Sequence, residues 1–344
     1  MIRTSTVSAL ALLAAVPALA EVPRVVTDIP PVHSLVAQVL GDLGEAELLL
    51  GAGGNAHDYQ LRPSQARAVA DASLVFWVGS ELTPWLDRTL DGIGGTARAV
   101  ALIDAEGTFR RDFGDDAAHE HDDDHDHEHD HDHDHGHDDD HAEADHHDHE
   151  EDHGHEEADN HGDRDHDGHD HSGLDPHAWL DPANARTWLR VIAAELSAAD
   201  PDNAARYAAN AEAAAQDIAA LDAGIAGRLA AVQDRPFVTF HQAYGYFAGH
   251  YGLNVAGSVA LGDAATPGAA RLSDLRTELA EGGVICAFPE AQHDPALVET
   301  VVEGTGVRIG GTLDPSGSSL EPGPGLYAGL ITGMADTLLA CLAE

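Results

Sequence analysis

Two series of short apolar runs, each run followed by a helical pattern, limit the possible folds of this chain more than any other feature. In the first half, the apolar runs are RVVTDI, AELLL, SLVFWVG and ARAVALID. In the second half, they are RPFVTF, LNVAGSV, GVICAF and VRIGGTL. Runs of this length, rich in Val, Leu and Ile, predict buried strands, and strands that alternate with helices form parallel sheets. We therefore predict an α/β fold with two parallel-sheet lobes.

An alanine-rich stretch without proline, residues 203–232, lies between the two series. Its apolar positions recur at helical spacing, at Ile218, Leu221, Ile225, Leu229 and Val232. A helix of about 30 residues is about 45 Å long. We predict one long, rigid helix in a linker region at residues 186–233, between an N-terminal lobe at 21–185 and a C-terminal lobe at 234–344.

The N-terminal segment, residues 1–20, has the pattern of a secretory signal peptide. Arg3 precedes the apolar run ALALLAAV, and Ala18-Leu19-Ala20 is a small-x-small cleavage site. A transmembrane anchor needs about 20 apolar residues, and Pro17 interrupts the run before that length. The sequence therefore predicts cleavage after residue 20 and export of the mature chain.

Most of the formal net charge of −44 comes from one segment between Asp112 and Asp175. Within it, residues 119–171 form an Asp/His low-complexity run with almost no aliphatic side chains. Such a composition cannot bury a core, so we predict a disordered insert at residues 115–173 of the N-terminal lobe. The acidic field disfavours nucleic acid as a partner and favours cations.

The chain has two cysteines, Cys286 and Cys341. In an exported protein, this even number predicts one disulfide. Closing a loop of that length would contribute about 4 kcal/mol to stability by the chain-entropy argument. Two buried free thiols are the alternative.

Four side chains outside the low-complexity run are candidates for a metal site. His57 lies in a glycine-rich loop after the second strand, His241 directly follows the strand FVTF, and Asp314 follows a late strand. His177 lies in DPHAWLDP, just before a helix for which Asp181 is the predicted N-cap. Because ligands of open α/β sheets bind beyond the carboxyl ends of the strands, two facing lobes would bring these four residues to one cleft.

Three imidazoles and one carboxylate suit zinc, which takes nitrogen and oxygen donors in a tetrahedron. Manganese prefers a shell richer in oxygen. Four protein donors would also leave no open position for a catalytic water, which argues against an enzyme.

The segments HDYQLRPSQ, DPHAWLDP, FVTFHQAYGYF, PGAARLSDLRTEL and GTLDPSG resemble those of the zinc-uptake solute-binding proteins of bacterial ABC importers, the ZnuA-like proteins of cluster A-I. The resemblance covers nearly the whole mature chain. It implies two α/β lobes joined by a rigid helix, with a metal site in the interlobe cleft. It also implies a monomeric periplasmic protein that binds Zn²⁺ with high affinity and delivers it to a membrane permease with its ATPase. A periplasmic zinc chaperone is a further expected partner.

By this resemblance the metal ligands are His57, His177 and His241, and Asp314 matches a position where many relatives have a fourth, carboxylate ligand. Some relatives carry an acidic residue just before the first histidine, whereas this chain has Ala56. The fourth ligand is therefore expected to be Asp314 or water. The family's Glu-Pro-Gln turn appears here within the sequence PEAQ, residues 289–292.

The low-complexity run predicts a second, weaker set of metal sites. Its alternating histidines include His125, His127, His129, His131, His133, His135 and His137. Imidazoles at i and i+2 with carboxylates between them can form many exchangeable zinc sites. Scavenging, buffering and transfer from a chaperone are alternative roles, and a solvated spacer is the alternative without metal.

Other polar residues receive structural interpretations. His33 begins a helix and is a candidate for lining the metal's access path, whereas His250 and His293 are expected to be surface or capping residues. Asp175 and Asp181 are candidates for orienting neighbouring imidazoles.

Three alternative functions stay open. A manganese- or iron-binding protein of the same fold would share the architecture, and a periplasmic zinc buffer would need no transporter. A zinc hydrolase would need an open coordination position and a general base, and we predict no HExxH-type helix in this chain.

Overall fold

The computed structural model describes residues 22–93, 97–114, 173–260 and 268–344. The predicted signal peptide and the low-complexity run, including the histidines from His125 to His137, lie outside these residues. In the described ranges, no helix has both the length and the apolar character needed to cross a bilayer.

The first sheet is parallel throughout. Its strands are β1 (Val25–Thr27), β2 (Ala46–Leu48), β3 (Leu74–Trp77) and β4 (Arg98–Ala101), and the helices that connect them are α1 (Pro30–Leu40), α2 (Pro63–Asp71) and α3 (Pro84–Ile93). The strand order is β2-β1-β3-β4. The two central strands are buried along their whole length, whereas β4, at the edge of the sheet, is partly exposed.

Two long helices follow the first sheet, α4 (Pro182–Ala199) and α5 (Ala204–Leu229). The Asp181 side chain accepts a hydrogen bond from the backbone N–H of Ala183 at 2.7 Å, so Asp181 is the N-cap that the sequence predicts. With 26 residues, α5 is about 39 Å long. It packs against α4, against α1 and against the last helix of the chain. The end of the N-terminal lobe that the sequence predicts, at residue 185, falls inside α4.

The second sheet repeats the topology of the first. Its strands are β5 (Phe237–Thr239), β6 (Val255–Ser258), β7 (Cys286–Ala287) and β8 (Arg308–Ile309), and the helices after α5 are α6 (Gly245–Tyr251), α7 (Ala269–Glu281), α8 (Ala296–Val302) and α9 (Leu326–Leu342). All pairs are parallel, in the order β6-β5-β7-β8. The strand order therefore reverses at the same point in both sheets, beside β1 and beside β5, where α/β folds form their binding crevices.

Side chains from both sheets and from α4, α5 and α9 form one continuous apolar core. Polar contacts also join the two halves: the Ser34 hydroxyl donates to the carbonyl of Pro324 at 3.0 Å and accepts from the N–H of Tyr327 at 3.0 Å. Cys286 and Cys341 form a disulfide that ties β7 to α9. The lobes are thus held together along their whole helical side.

Candidate metal centre

His57 is placed by a loop that runs from β2 to α2. Its backbone N–H donates to the Asn55 side chain at 2.9 Å, which closes a tight turn. The indole N–H of Trp85, on α3, donates to the carbonyl of Ala56 at 2.7 Å. The loop that carries His57 is therefore fixed by a hydrogen bond within the loop and by another from α3.

His177 lies in the segment before the 3₁₀ turn Ala178–Leu180 and is almost fully buried. Its Nδ1 lies 2.8 Å from the Asp175 carboxylate, and the same carboxylate accepts the backbone N–H of His177. Trp179 packs beside the imidazole and donates its indole N–H to the carbonyl of Pro315 at 2.8 Å. Asp175 therefore orients His177, as expected for one of the two aspartates considered.

His241 directly follows β5, the central strand of the second sheet, and is buried. Its Nδ1 lies 2.7 Å from the Oε2 atom of Glu290, which also accepts the Tyr244 hydroxyl at 2.9 Å. Glu290 follows β7, the neighbour of β5, so the sheet order brings the two side chains together. Like His177, His241 has its Nδ1 bound to a carboxylate, which leaves Nε2 as the metal-binding nitrogen.

The three imidazoles meet in one small pocket. Each offers a nitrogen, and these nitrogens all lie within 4.8 Å of one another. The Nε2 atoms of His177 and His241 are 3.4 Å apart. Zinc–nitrogen bonds of about 2.0–2.1 Å in a tetrahedron place two donors about 3.3–3.4 Å apart. The spacing therefore matches two ligands of one zinc ion.

The pocket is sized for an ion. Its volume is about 30 Å³, and its walls include the three imidazoles, Glu290, Trp179 and Ser316. A water molecule needs at least about 10–15 Å³ by the same kind of measure. The space therefore suits a single ion with its ligands.

Burial and crowding keep His57 neutral. Burial, together with charge repulsion from the imidazoles of His177, His241 and His293, lowers its pKa to about 2. Metal ligands must be unprotonated, so this environment prepares the ring for a cation.

Asp314 is not in the group of imidazole donors. Its Oδ1 accepts the Ser316 hydroxyl and both the N–H and hydroxyl of Ser318, while Oδ2 accepts the N–H and hydroxyl of Ser319. These hydrogen bonds close the loop that begins at Asp314. The next two residues, Pro315 and Ser316, line the pocket, but local serines engage the Asp314 carboxylate.

Sequence reasoning missed two residues of the site, Glu290 and His293. Both line the pocket, and His293 stacks on Phe240 with ring centroids 4.2 Å apart. His293 was expected to be a surface or capping residue; its side chain is 23% exposed, but it also forms part of the pocket wall. Burial lowers its pKa. The signal that could have found both was the PEAQH sequence after the strand GVICAF, at the same sheet edge as His241.

Two more histidines belong to the described residues, His33 and His250, and neither lines the pocket. His250, on α6, lies 2.9 Å from Asp181 and 2.8 Å from Asp222. Asp181 therefore caps α4 and binds His250 rather than a pocket imidazole. His33 lies 3.2 Å from the carbonyl of Ala46 and lines a different cavity, of about 640 Å³. His33 is therefore not one of the residues that line the metal pocket.

The comparisons with known proteins identify the family and the fold. The model of the ZnuA family, described as the periplasmic component A of the zinc-uptake complex, matches residues 25–341. The chain belongs to the ZnuA family. ZnuA proteins are solute-binding proteins, and the match spans both sheets, the connecting helices and every residue of the pocket.

One relative, the high-affinity zinc uptake system protein ZnuA of Paracoccus denitrificans, is 57% identical over 344 residues, which cover 99% of each chain. Among solved structures, a zinc-bound ZnuA deletion mutant aligns with a TM-score of 0.67 at 20% identity, covering 93% of this chain and 98% of its own. The solute-binding protein FpvC of Pseudomonas aeruginosa, in complex with Mn²⁺, aligns with a TM-score of 0.70 at 22% identity, covering 94% and 99%. At such identities the solved structures establish the two-lobe fold.

Proposed function

We propose that this protein is the periplasmic zinc-binding component of an ABC importer, and that His57, His177 and His241 hold the transported ion. The observation that carries the proposal is the pair of Nε2 atoms of His177 and His241, 3.4 Å apart. Both rings have their Nδ1 atoms bound to carboxylates, so two lone pairs face each other. A cation between them would relieve this contact.

The source of the ligands suggests how the ion is released. His57 and His177 belong to the half of the chain that contains the first sheet, and His241 belongs to the second sheet. A small separation of the lobes would remove one of three imidazoles from the ion. Docking on the permease is the event that we propose to drive this separation, with the separate ATPase supplying the energy.

The fourth coordination position belongs to Asp314 or to water. Asp314 would have to give up its hydrogen bonds to Ser316, Ser318 and Ser319 to reach the ion. We therefore expect Asp314→Ala to weaken zinc binding by less than tenfold, a smaller loss than that of removing one fixed ligand.

The low-complexity run would collect zinc before it reaches the pocket. Its alternating histidines, from His125 to His137, offer many weak sites, and its acidic charge attracts cations. Deleting residues 119–171 should lower the number of zinc ions bound per chain and leave the affinity of the tight site unchanged. The predicted signal peptide, export and monomeric state belong to the same proposal, as does transfer from a periplasmic chaperone.

A manganese-binding protein is the second candidate function, since the solved FpvC structure of similar fold holds Mn²⁺. The nitrogen-rich pocket favours zinc over manganese, which prefers more oxygen ligands. Competition of Zn²⁺ against Mn²⁺ for the metal-free protein would distinguish them. A preference for Mn²⁺ would contradict the proposal.

Titration calorimetry of metal-free protein tests the proposed ligands. His57→Ala and His241→Ala should each weaken the tight site by more than about 100-fold, the upper range for residues that only orient a ligand. His33→Ala is the matched control, because His33 lines another cavity, and it should bind zinc as the unaltered protein does. Unchanged tight binding in both ligand variants would overturn the assignment.

A further inference from the structure

A second pair of donors lies beside the three imidazoles. The Oε1 atom of Glu290 and the Nε2 atom of His293 are 3.5 Å apart, close to the separation of two ligands on one tetrahedral zinc ion, about 3.3–3.4 Å. Donor atoms of His241, Glu290 and His293 all lie within 4.8 Å of one another. This group shares His241 with the three-imidazole group and adds two donors that the proposed tight site does not use.

The second group is partly open to solvent at His293. The His293 side chain is 23% exposed, whereas those of Glu290 and His241 are 4% and 6% exposed. A hydrated zinc ion approaching the pocket can therefore meet His293 before it meets the buried imidazoles of His177 and His241. Glu290 adds a negative charge at the same place, which lowers the cost of replacing the ion's water molecules.

The position of His293 is fixed before any ion arrives. Its ring stacks on Phe240, with centroids 4.2 Å apart and an interplanar angle of 20°. The preceding residue, Gln292, has a positive φ of 76°, a conformation that side chains other than glycine seldom adopt. A strained turn that presents an imidazole next to a metal pocket is typical of a functional site rather than of simple packing.

We propose that Glu290 and His293 form a transfer position, which binds Zn²⁺ first and passes it to the imidazoles of the tight site. His241 belongs to both groups, so the ion can exchange ligands one at a time. No covalent bond is made in this step: each incoming nitrogen replaces a donor that leaves. The inference rests on the proposed function, because it needs the three-imidazole site as the destination.

A transfer position changes rates in both directions and leaves the equilibrium nearly unchanged. His293→Phe keeps an aromatic ring on Phe240 and removes both ring nitrogens. It therefore tests metal binding by His293 separately from ring packing. His293→Gln is a second variant that keeps a polar side chain and removes the imidazole. The fluorescence of Trp179, whose ring lies 5.2 Å from that of His177, reports arrival at the tight site even when the low-complexity run binds other zinc ions.

Stopped-flow mixing of the full-length metal-free protein with Zn²⁺, followed by displacement with EDTA, tests the proposal. In both variants, we expect the association and dissociation rate constants to fall about tenfold, with Kd changed by less than about threefold. Unchanged rate constants would show that His293 only packs on Phe240. A higher Kd at an unchanged association rate constant would mean that His293 is a ligand of the tight site, and this would also overturn the proposal. Both results concern His293 alone. The zinc affinity of His57→Ala tests the proposed zinc-binding function separately.

Discussion

Glu290 accepts a hydrogen bond from Nδ1 of His241 at 2.7 Å, and this contact turns Nε2 of the same ring toward Nε2 of His177. The two residues are 49 positions apart in sequence, and the parallel pairing of β5 with β7 makes them neighbours. The carboxylate therefore determines which nitrogen of His241 is free to bind metal.

Removing the Glu290 carboxylate should weaken zinc binding without removing a ligand of the tight site. We expect Glu290→Ala to raise Kd by about 10–100-fold, since the His241 ring loses its fixed orientation and tautomer. Competition titration against a zinc chelator measures the change. Glu299→Ala, on the exposed face of α8, removes a carboxylate from the same lobe and should have no effect. Equal losses in the two variants would mean that only the overall charge matters.

Asp175 holds His177 in the same way, and it permits a finer test. Its Oδ1 atom accepts both the Nδ1–H and the backbone N–H of His177. Asparagine retains an Oδ1 acceptor, whereas alanine retains none. We expect Asp175→Ala to raise the Kd for zinc by about 10–100-fold and Asp175→Asn to raise it less. If the two variants lost affinity equally, the negative charge rather than the hydrogen bond would orient the ring.

The pocket also predicts how zinc affinity changes with pH. Three ordinary imidazoles, with pKa values near 6.5, would release up to three protons on binding at acidic pH. Burial and the adjacent imidazoles lower the pKa of His57 to about 2, so this ring has no proton to release between pH 4 and 6. Affinity should therefore fall by at most about 100-fold per pH unit in this range instead of about 1000-fold. Chelator competition from pH 4 to pH 7 measures the slope, and a slope near three would contradict the pKa of His57.

Much of the fold is encoded locally and could be predicted. The apolar runs around Val25 and Phe237 correctly predicted β1 and β5, because each run is long enough for a buried strand and too short for a buried helix. Asp181 followed by Pro182 predicted the first turn of α4, since both residue types favour that position. The alanine-rich pattern predicted α5, with an end within three residues of that observed.

The site was less predictable, because its contacts depend on neighbours in space. The strand ends correctly placed His57 and His241 at the sheet edges, and the order of strands then determined that Glu290 would meet His241. Asp314 shows the opposite case: its position after β8 is topologically right, but Ser318 and Ser319 engage its carboxylate. A strand pattern does not show whether local hydrogen bonds or a metal ion will bind a given carboxylate.

The disulfide should contribute to stability far more than to binding. Cys286 and Cys341 close a loop over 55 positions, worth about 4 kcal/mol by the chain-entropy argument. Cys286 lies on β7 and Cys341 on α9, so neither touches the pocket imidazoles. We expect replacement of both cysteines by serine to lower the free energy of unfolding by about 2–5 kcal/mol in urea titrations. Zinc affinity at a temperature where the variant is folded should be unchanged, and a large loss there would link β7 geometry to the site.

His250 should make stability depend on pH in the alkaline range. Its ring binds Asp181 through Nδ1 and Asp222 through Nε2, which joins α6 to the start of α4 and to α5. The hydrogen bond to Asp181 is the main cause that raises the pKa of His250 to about 9, with a smaller contribution from Asp222, while burial acts in the opposite direction. The unfolded chain binds this proton only below about pH 6.5. The stabilisation is therefore complete below pH 6.5 and is lost as pH rises through 9.

The variant His250→Gln makes this prediction measurable in metal-free protein. At pH 6, we expect it to lower the free energy of unfolding by about 2 kcal/mol, less than the full pKa shift implies because the ring is partly exposed to solvent. The difference from the unaltered protein should shrink steadily between pH 6.5 and pH 9. The low pKa of His57 also changes stability with pH, but in the opposite sense and below pH 6.5, and it is common to both proteins. Urea titrations at pH 6, 7.5 and 9.5 therefore isolate His250, and a difference independent of pH would mean that its ion pairs contribute nothing.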